Sequence, residues 1–230
     1  MSRPDPKDPG RVAHGDGLLE SDVPPSPYPL LRAWVDDALA ASAARGDVPE
    51  PSAMAVATVD PDGAPNVRTV LMRFLDERGP GFVTNLRSTK ADELAANPRI
   101  AATLTWPSLF RAVRFRGVAE LVDRREVEAY FSSRPYGSRL SAWASEQSRP
   151  ARDREELEER WVAALARFPD RGRVDDVPVP DFWGGYRVRC DEVEFWAGRR
   201  DRLHDRLVFT RTGDGTLSDA GSWARSRRQP

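Results

Sequence analysis

The 230-residue chain has one cysteine, Cys190, and two histidines, His14 and His204. A single thiol cannot close an internal disulfide, which fits a reducing compartment. With so few nitrogen and sulfur donors a zinc site would need carboxylates for most of its ligands, so no metal centre is expected. Long apolar runs are missing, none approaching the roughly eighteen residues of a membrane span, and no charged-then-apolar leader follows Met1. The expectation is a cytoplasmic protein with neither signal peptide nor membrane anchor. An excess of one charge is missing as well. Lys+Arg 35 against Asp+Glu 36 leaves a net charge of -1, so no global field draws the chain to nucleic acid or an anionic membrane. Any anion site must be local.

Several nucleotide and hydrolase signatures are also absent. There is no Gly-x-Gly-x-x-Gly after a strand, no phosphate loop ending in Gly-Lys-Ser/Thr, and no Gly-x-Ser-x-Gly elbow. A Rossmann dinucleotide fold, a P-loop enzyme and an α/β-hydrolase therefore have no support. A Ser-His-Asp triad built on His204 is a weak match, because Asp205 is its immediate neighbour.

What is present reads as one domain behind a tail. Residues 1–26 are rich in Pro, Gly and Asp and lack apolar periodicity, which predicts a disordered N-terminal tail with His14 outside any chemistry; residues 27–230 read as a single domain without internal repeats. From Pro29, Leu30, Leu31, Trp34, Val35, Ala38 and Leu39 recur at helical spacing, predicting a helix to about Ala44 that Gly46 and Pro49 to Pro51 terminate. Ala53 to Val59 and Asn66 to Leu75 flank Asp60-Pro61-Asp62-Gly63 as a hairpin, and Gly81 to Asn85 follows as a strand. A short helix over Ala91 to Pro98 has Thr89 as its expected cap, with Asp92 three residues on. Strands are expected at Ile100 to Thr105 and Ala112 to Val122, helices near Arg125 to Ser133, Ser138 to Glu146 and Arg152 to Phe168, and a surface linker over Pro169 to Pro180. Strands resume at Gly185 to Cys190, Val193 to Trp196, Leu207 to Arg211 and near Thr216 to Trp223. Many short strands with helices set apart in sequence predict an antiparallel barrel of the α+β class.

Two stretches carry chemistry on this reading. Between Phe182 and Arg206, aromatic residues, a Gly-Gly step and late cations surround His204. That mix suits a flat anionic ligand, with Gly184 and Gly185 admitting backbone or ligand and arginines supplying forked donors; the plain alternative is core aromatics beside a solvated basic turn. Lys90, in the first turn of the short helix, is either a phosphate ligand or a solvated surface lysine.

These segments, taken together and in order, resemble the pyridoxamine 5'-phosphate oxidase family of FMN-binding split barrels, from about Gly17 to the C-terminus. The blocks are Pro51-Ser52-Ala53-Met54-Ala55-Val56-Ala57-Thr58-Val59-Asp60, Arg68-Thr69-Val70-Leu71, Thr84-Asn85, Tyr130-Phe131-Ser132-Ser133-Arg134-Pro135, Phe182-Trp183-Gly184-Gly185, Glu194-Phe195-Trp196 and Arg202-Leu203-His204-Asp205-Arg206. The resemblance implies an antiparallel split β-barrel with flanking helices, a homodimer, and FMN in a cleft between subunits. It implies that Arg68, Thr69, Val70, Leu71 and Lys90 hold the FMN phosphate and ribityl chain, with Arg87 and Ser88 counted among the cofactor-binding residues. Thr84, Gln147, Ser148, Trp196 and Arg206 would line the flavin. Tyr130, Arg134 and Ser138, with Arg73, would grip the phosphate of a phosphorylated pyridine substrate, and Arg202 and His204 would sit over its ring as the catalytic pair. The implied reaction makes pyridoxal 5'-phosphate and hydrogen peroxide from O2.

Departures from the family keep alternatives open. Arg73 stands where lysine is usual, Arg87-Ser88-Thr89-Lys90 stands where Gly-Ser-Arg-Lys is usual, and Ala112 replaces a glutamine expected at the flavin. Arg87 could take over from the arginine missing at 89. An oxidase of another heteroaromatic ring, of phenazine type, is the second reading, and a non-catalytic flavin or pyridoxal-phosphate binding protein the third. Arg68 and Arg73 differ by an odd number, so on a regular strand they face opposite ways; either a bulge intervenes or they serve opposite walls.

Overall fold

The computed structural model describes residues 17–46, 48–199 and 202–230. Helix α1 (Pro27–Arg45) buries Leu31, Trp34, Val35, Ala38 and Ala41 along one face, and ends where Gly46 takes up φ 68, the left-handed C-terminal cap that glycine adopts at least cost. Strands β1 (Ala53–Val59) and β2 (Pro65–Asp76) form the expected hairpin, Val59 opposite Pro65, with Asp60 Oδ1 accepting the N–H groups of Asp62 and Ala64 in the turn. Then come β3 (Gly79–Asn85), α2 (Thr89–Ala96), β4 (Arg99–Trp106), β5 (Arg111–Leu121), α3 (Arg124–Ser133), α4 (Tyr136–Ala144), α5 (Arg154–Arg167), β6 (Trp183–Ala197), β7 (Asp205–Arg211) and β8 (Trp223–Arg227).

All neighbouring strands are antiparallel, in the order β3-β2-β1-β4-β5-β6-β7-β8, and β3 also pairs with β6, which closes six strands into a barrel. Strand β6 makes the split: residues 183–187 pair with β3, residues 192–197 pair with β7. Two separate strands were expected here. One 15-residue strand is present, and Asp191 is the extra residue where its register against β5 shifts between Arg116 and Gly117; a bulge absorbs the polar residue that reads as a turn. The last strand also lies later than expected. Thr216 to Ser222 is turn and short helix, in which Leu217 is fully buried and Trp223 donates to the Thr216 carbonyl, and β8 starts only at Trp223.

The barrel interior is filled by Met54, Val56, Phe82, Leu104, Val113, Phe115, Val193, Phe195, Leu207 and Phe209, all fully buried, each burial contributing roughly 1.5–3 kcal/mol. Cys190 is buried among them and its thiol is pushed up to about 12 by that burial, which makes it an inert core residue. A second cluster, Val127, Phe131, Leu140, Ala164, Val177 and Trp183, seats α3, α4 and α5 against the start of β6. Of the expected tail, residues 1–16 lie outside the described residues, but residues 17–26 are packed: Leu18 and Val23 are buried, and Arg227 donates to Leu18 and Glu20. Their partners sit about two hundred positions away, beyond any local periodicity.

Gly184 and Gly185 admit protein rather than ligand. A Cβ at 184 would lie 2.8 Å from Leu86 Cδ1, and one at 185 would lie 2.6 Å from the Phe82 carbonyl oxygen. Gly79 is more constrained, with φ +130 and a Cβ that would lie 2.1 Å from the Val188 carbonyl oxygen, whereas Gly63 at φ +87 has open space around it. Gly79→Ala is therefore expected to destabilise by about 2–4 kcal/mol and Gly63→Ala by only about 1 kcal/mol, read from urea denaturation midpoints. Equal effects would show that backbone strain, not the clash, sets the cost.

Candidate active site

A cleft of about 860 Å³ opens between β2, β3, the start of α2, the α3–α4 corner and the loop after α4, within the usual size of a small-molecule site. Strand β2 provides Arg68, Thr69, Val70, Leu71 and Arg73; β3 provides Thr84; α2 provides Lys90; the corner provides Tyr130, Arg134 and Ser138; the loop provides Gln147 and Ser148. Both arginines of β2 face the same cleft because its register against β3 passes from Met72↔Phe82 to Phe74↔Gly81, leaving Arg73 as an extra residue. Of the two readings, the bulge holds.

Lys90 is buried, and its ammonium donates to Thr84 Oγ1 at 3.1 Å, Ser88 Oγ at 3.2 Å and Gln147 Oε1 at 2.8 Å. All three acceptors are neutral. Burial, with Arg68 nearby, pulls its pKa down to about 8 against only a partial pull upward from Glu93. Ser88, not Thr89, is the N-cap of α2, and its hydroxyl makes no capping bond; it serves Lys90 instead, and Thr89 lines the cleft. Beneath the strand, Arg68 Nη2 meets the buried carboxylate of Glu93 at 2.9 Å.

The second cation pair is Arg73 and Arg134. Arg134 lies over Trp183, its Cζ 5.0 Å from the ring centroid, and Tyr130 stacks on the same tryptophan with centroids 6.1 Å apart. Its Nη1 is buried and has no hydrogen-bond partner among the described residues. Burial and then Arg73 lower the guanidinium pKa, Tyr130 opposing. Pro135 follows α3, so Tyr130, Arg134 and Ser138 converge from two helices onto one wall.

The remaining sequence candidates lie elsewhere on the chain. Arg87 is not part of the cleft lining: its guanidinium stacks on Phe182, 4.8 Å from the ring centroid. Trp196, Arg202, His204 and Arg206 form a second group on and beside β6 and β7. There Trp196 pairs with Ala112 on one side and Arg206 on the other. Arg206 grips buried Glu194 through Nε at 2.9 Å and Nη2 at 3.1 Å, and Arg114 joins the same carboxylate at 2.6 Å. His204 lies 4.8 Å from the Trp196 ring, and its Nδ1 accepts the Arg199 backbone N–H, which puts the proton of the neutral ring on Nε2. Arg202 is exposed at φ 61. Sequence reasoning missed Asn66, Ser133 and Thr89 in the lining and Thr58 and Glu93 beneath it; for Glu93 the available signal was its place one turn after Lys90 on α2.

Comparison with known proteins follows the same division of the chain. Residues 41–164 match the family described as pyridoxamine 5'-phosphate oxidase, and residues 183–230 match a region described as the pyridoxine 5'-phosphate oxidase C-terminal dimerisation region. A pyridoxine/pyridoxamine 5'-phosphate oxidase from Kineococcus radiotolerans is 50% identical over 222 residues, covering 96% of this chain and 97% of the relative. One from Pseudomonas paraeruginosa is 48% identical over 215 residues, 94% of each chain. Among solved structures, PhzG from Burkholderia lata in complex with tetrahydrophenazine-1-carboxylic acid superposes with a TM-score of 0.80 at 30% identity, covering 95% of this chain and 100% of that one.

Proposed function

The chain belongs to the pyridoxamine 5'-phosphate oxidase family, and from that premise we propose that it is an FMN-dependent oxidase converting pyridoxamine or pyridoxine 5'-phosphate to pyridoxal 5'-phosphate, with O2 as electron acceptor. The observation that carries the proposal is two cation pairs in one cleft, Lys90 with Arg68 and Arg134 with Arg73, in which, among the described residues, Lys90 donates only to neutral acceptors and Arg134 keeps a buried nitrogen unpaired. Unneutralised cations at two places in one cavity fit two phosphorylated molecules. The donor set thus suits FMN together with a phosphorylated substrate.

Bound FMN supplies the two-electron acceptor for oxidising the carbon that bears the amine or alcohol, and O2 takes the electrons onward as peroxide. The chain's own residues bind and orient. Lys90, Arg68 and the β2 backbone from 68 to 71 hold the cofactor phosphate and ribityl chain, and Thr84, Gln147 and Ser148 lie along the flavin. Tyr130, Arg134, Ser138 and Arg73 fix the substrate phosphate, so that the ring is held at reacting distance. A second copy of the chain brings its Trp196, Arg202, His204 and Arg206 over the cleft, where Arg202 and His204 orient the substrate ring. Two features support this homodimer: the match of residues 183–230 to a dimerisation region, and the exposed apolar Val67 and Leu203, which lie on the two surfaces concerned. Among the described residues no helix is long and apolar enough to cross a membrane, and the proposed compartment is the cytoplasm.

The test is direct. Purified protein loaded with FMN should be yellow, sediment as a dimer, and release peroxide on addition of pyridoxine or pyridoxamine 5'-phosphate. The 30% identical PhzG structure supports the second reading, an oxidase of another heteroaromatic ring; yellow protein that turns over a phenazine precursor and neither B6 phosphate would select it.

A further inference from the structure

Glu93 belongs to none of the groups that line the cleft, yet it is among the most enclosed charges of the chain, 4% exposed. It sits on α2 one turn after Lys90, but does not hydrogen-bond to it; Lys90 turns to Thr84, Ser88 and Gln147. The Glu93 carboxylate instead receives three donors. Oε2 accepts Arg68 Nη2 at 2.9 Å and also the Thr58 hydroxyl, and Oε1 accepts Asn66 Nδ2 at 2.8 Å. Arg68 Nη1 donates to that same Thr58 hydroxyl, closing a ring of Arg68, Thr58 and Glu93. Burial works to raise the Glu93 carboxyl, but the bonds from Thr58, Asn66 and Arg68 outweigh it and hold the group ionised.

The ring takes one donor from each terminal nitrogen of Arg68. Among the described residues nothing bonds Nε, so the edge shared by Nε and Nη2 keeps its fork of donors for two oxygens of an anion in the cleft that Arg68 lines. We infer that Glu93 is a positioning residue, whose buried carboxylate fixes the Arg68 guanidinium so that its remaining edge meets the phosphate end of the cofactor. The inference rests on the FMN reading of the cleft.

The sign of one measurement separates positioning from simple charge. A carboxylate beside an anion site repels the anion, so deleting it for charge alone tightens binding; deleting a positioning group loosens it. Titration of apo protein with FMN and with riboflavin, followed by flavin fluorescence, reads this out. Glu93→Ala is expected to weaken FMN binding by about ten- to hundredfold, the scale of one charge-assisted hydrogen bond, and to leave riboflavin, which has no phosphate, unchanged. Glu93→Gln should rescue to within about threefold, because an amide oxygen at Oε2 still accepts both Arg68 and Thr58 while Asn66, at the surface, turns its own amide. In an Arg68→Ala background, Glu93→Ala should add less than about twofold. FMN binding that is tighter or unchanged in Glu93→Ala, equal losses for FMN and riboflavin, or an undiminished loss without Arg68 would each overturn the inference. If the unaltered protein takes up neither flavin, the FMN reading has failed, and inorganic phosphate becomes the probe. A phosphate-dependent rise in melting temperature that Glu93→Ala loses and Glu93→Gln keeps then supports the positioning role; an equal rise in all three, or none, overturns it.

Discussion

Arg134→Met is expected to lower kcat/KM for pyridoxine 5'-phosphate by roughly 30- to several-thousandfold, the cost of about 2–5 kcal/mol for truncating one partner of a buried charge pair, and to leave the ligand-free protein at least as stable as before. The two halves come from one geometry. Without ligand, the Arg134 guanidinium is partly buried over Trp183 and Phe131, faces Arg73, and has a buried nitrogen with no partner among the described residues. An unpaired buried cation costs free energy that an unbranched apolar side chain of similar length does not. Methionine keeps the contact with the two rings and removes the charge. A phosphorylated substrate reverses the balance, since the phosphate pairs with the charge that folding leaves stranded. Chemical denaturation of the apo protein and steady-state kinetics on the same variant test both halves, with Phe131→Ala as the contrast that should lose stability because it empties a fully enclosed core position. An Arg134→Met protein that is much less stable, or that turns over substrate normally, would refute the assignment of this wall to the substrate phosphate.

How much of this was legible in sequence depends on the distance over which each feature is decided. Strand β1 was readable to the residue, Ala53 to Val59, because alternation and the Asp60 to Gly63 turn are local signals. Helix α1 was readable because its apolar face repeats. The bulges were not: Asp191 and Arg73 each look like a break or a misfit until a partner strand shows one extra residue absorbed. The Gly184-Gly185 step invited a ligand in sequence, yet the atoms that need the space are Leu86 and the Phe82 carbonyl oxygen. Thr89 looked like the cap of α2, but the start of that helix was shaped by what Lys90 needs from Ser88. For Glu93 the sequence offered only its place one turn after Lys90, because its partners Thr58 and Arg68 lie 35 and 25 positions away. Arg87 was read as a replacement for a missing cation; its guanidinium stacks on Phe182, a contact made with the loop before β6 that no local pattern announces. Trp196, Arg202, His204 and Arg206 are not among the residues that line the cleft of their own chain, a separation that no local pattern in the sequence announces.

The FMN affinity of the apo protein is expected to fall about tenfold for each unit of pH above about 8, and Lys90→Met is expected to abolish that slope. Lys90 is held down to about 8, from an ordinary value of 10.5, first by burial and then by Arg68. In the folded protein without ligand the charged form is therefore the disfavoured one. That penalty, about 3 kcal/mol at full strength, is present below about pH 8 and is relieved as pH rises from there towards 10.5, where the unfolded chain loses its proton as well. The apo protein should accordingly gain stability over that window, since the unfolded state binds more protons there. A bound phosphate changes the sign of the local field and restores the ammonium, so binding takes up a proton wherever the free site has lost one. Phosphate itself adds little to the slope, because its second ionisation lies near pH 6 and it is largely dianionic above about pH 7. Titrations from about pH 7 to about pH 10 decide the matter. A flat affinity in the unaltered protein would mean that Lys90 keeps its proton despite burial among Thr84, Ser88 and Gln147, whereas a slope surviving in Lys90→Met would move the titrating group elsewhere. The combination expected, stability rising with pH while affinity falls, is what separates a strained cation waiting for its anion from a lysine that is merely packed.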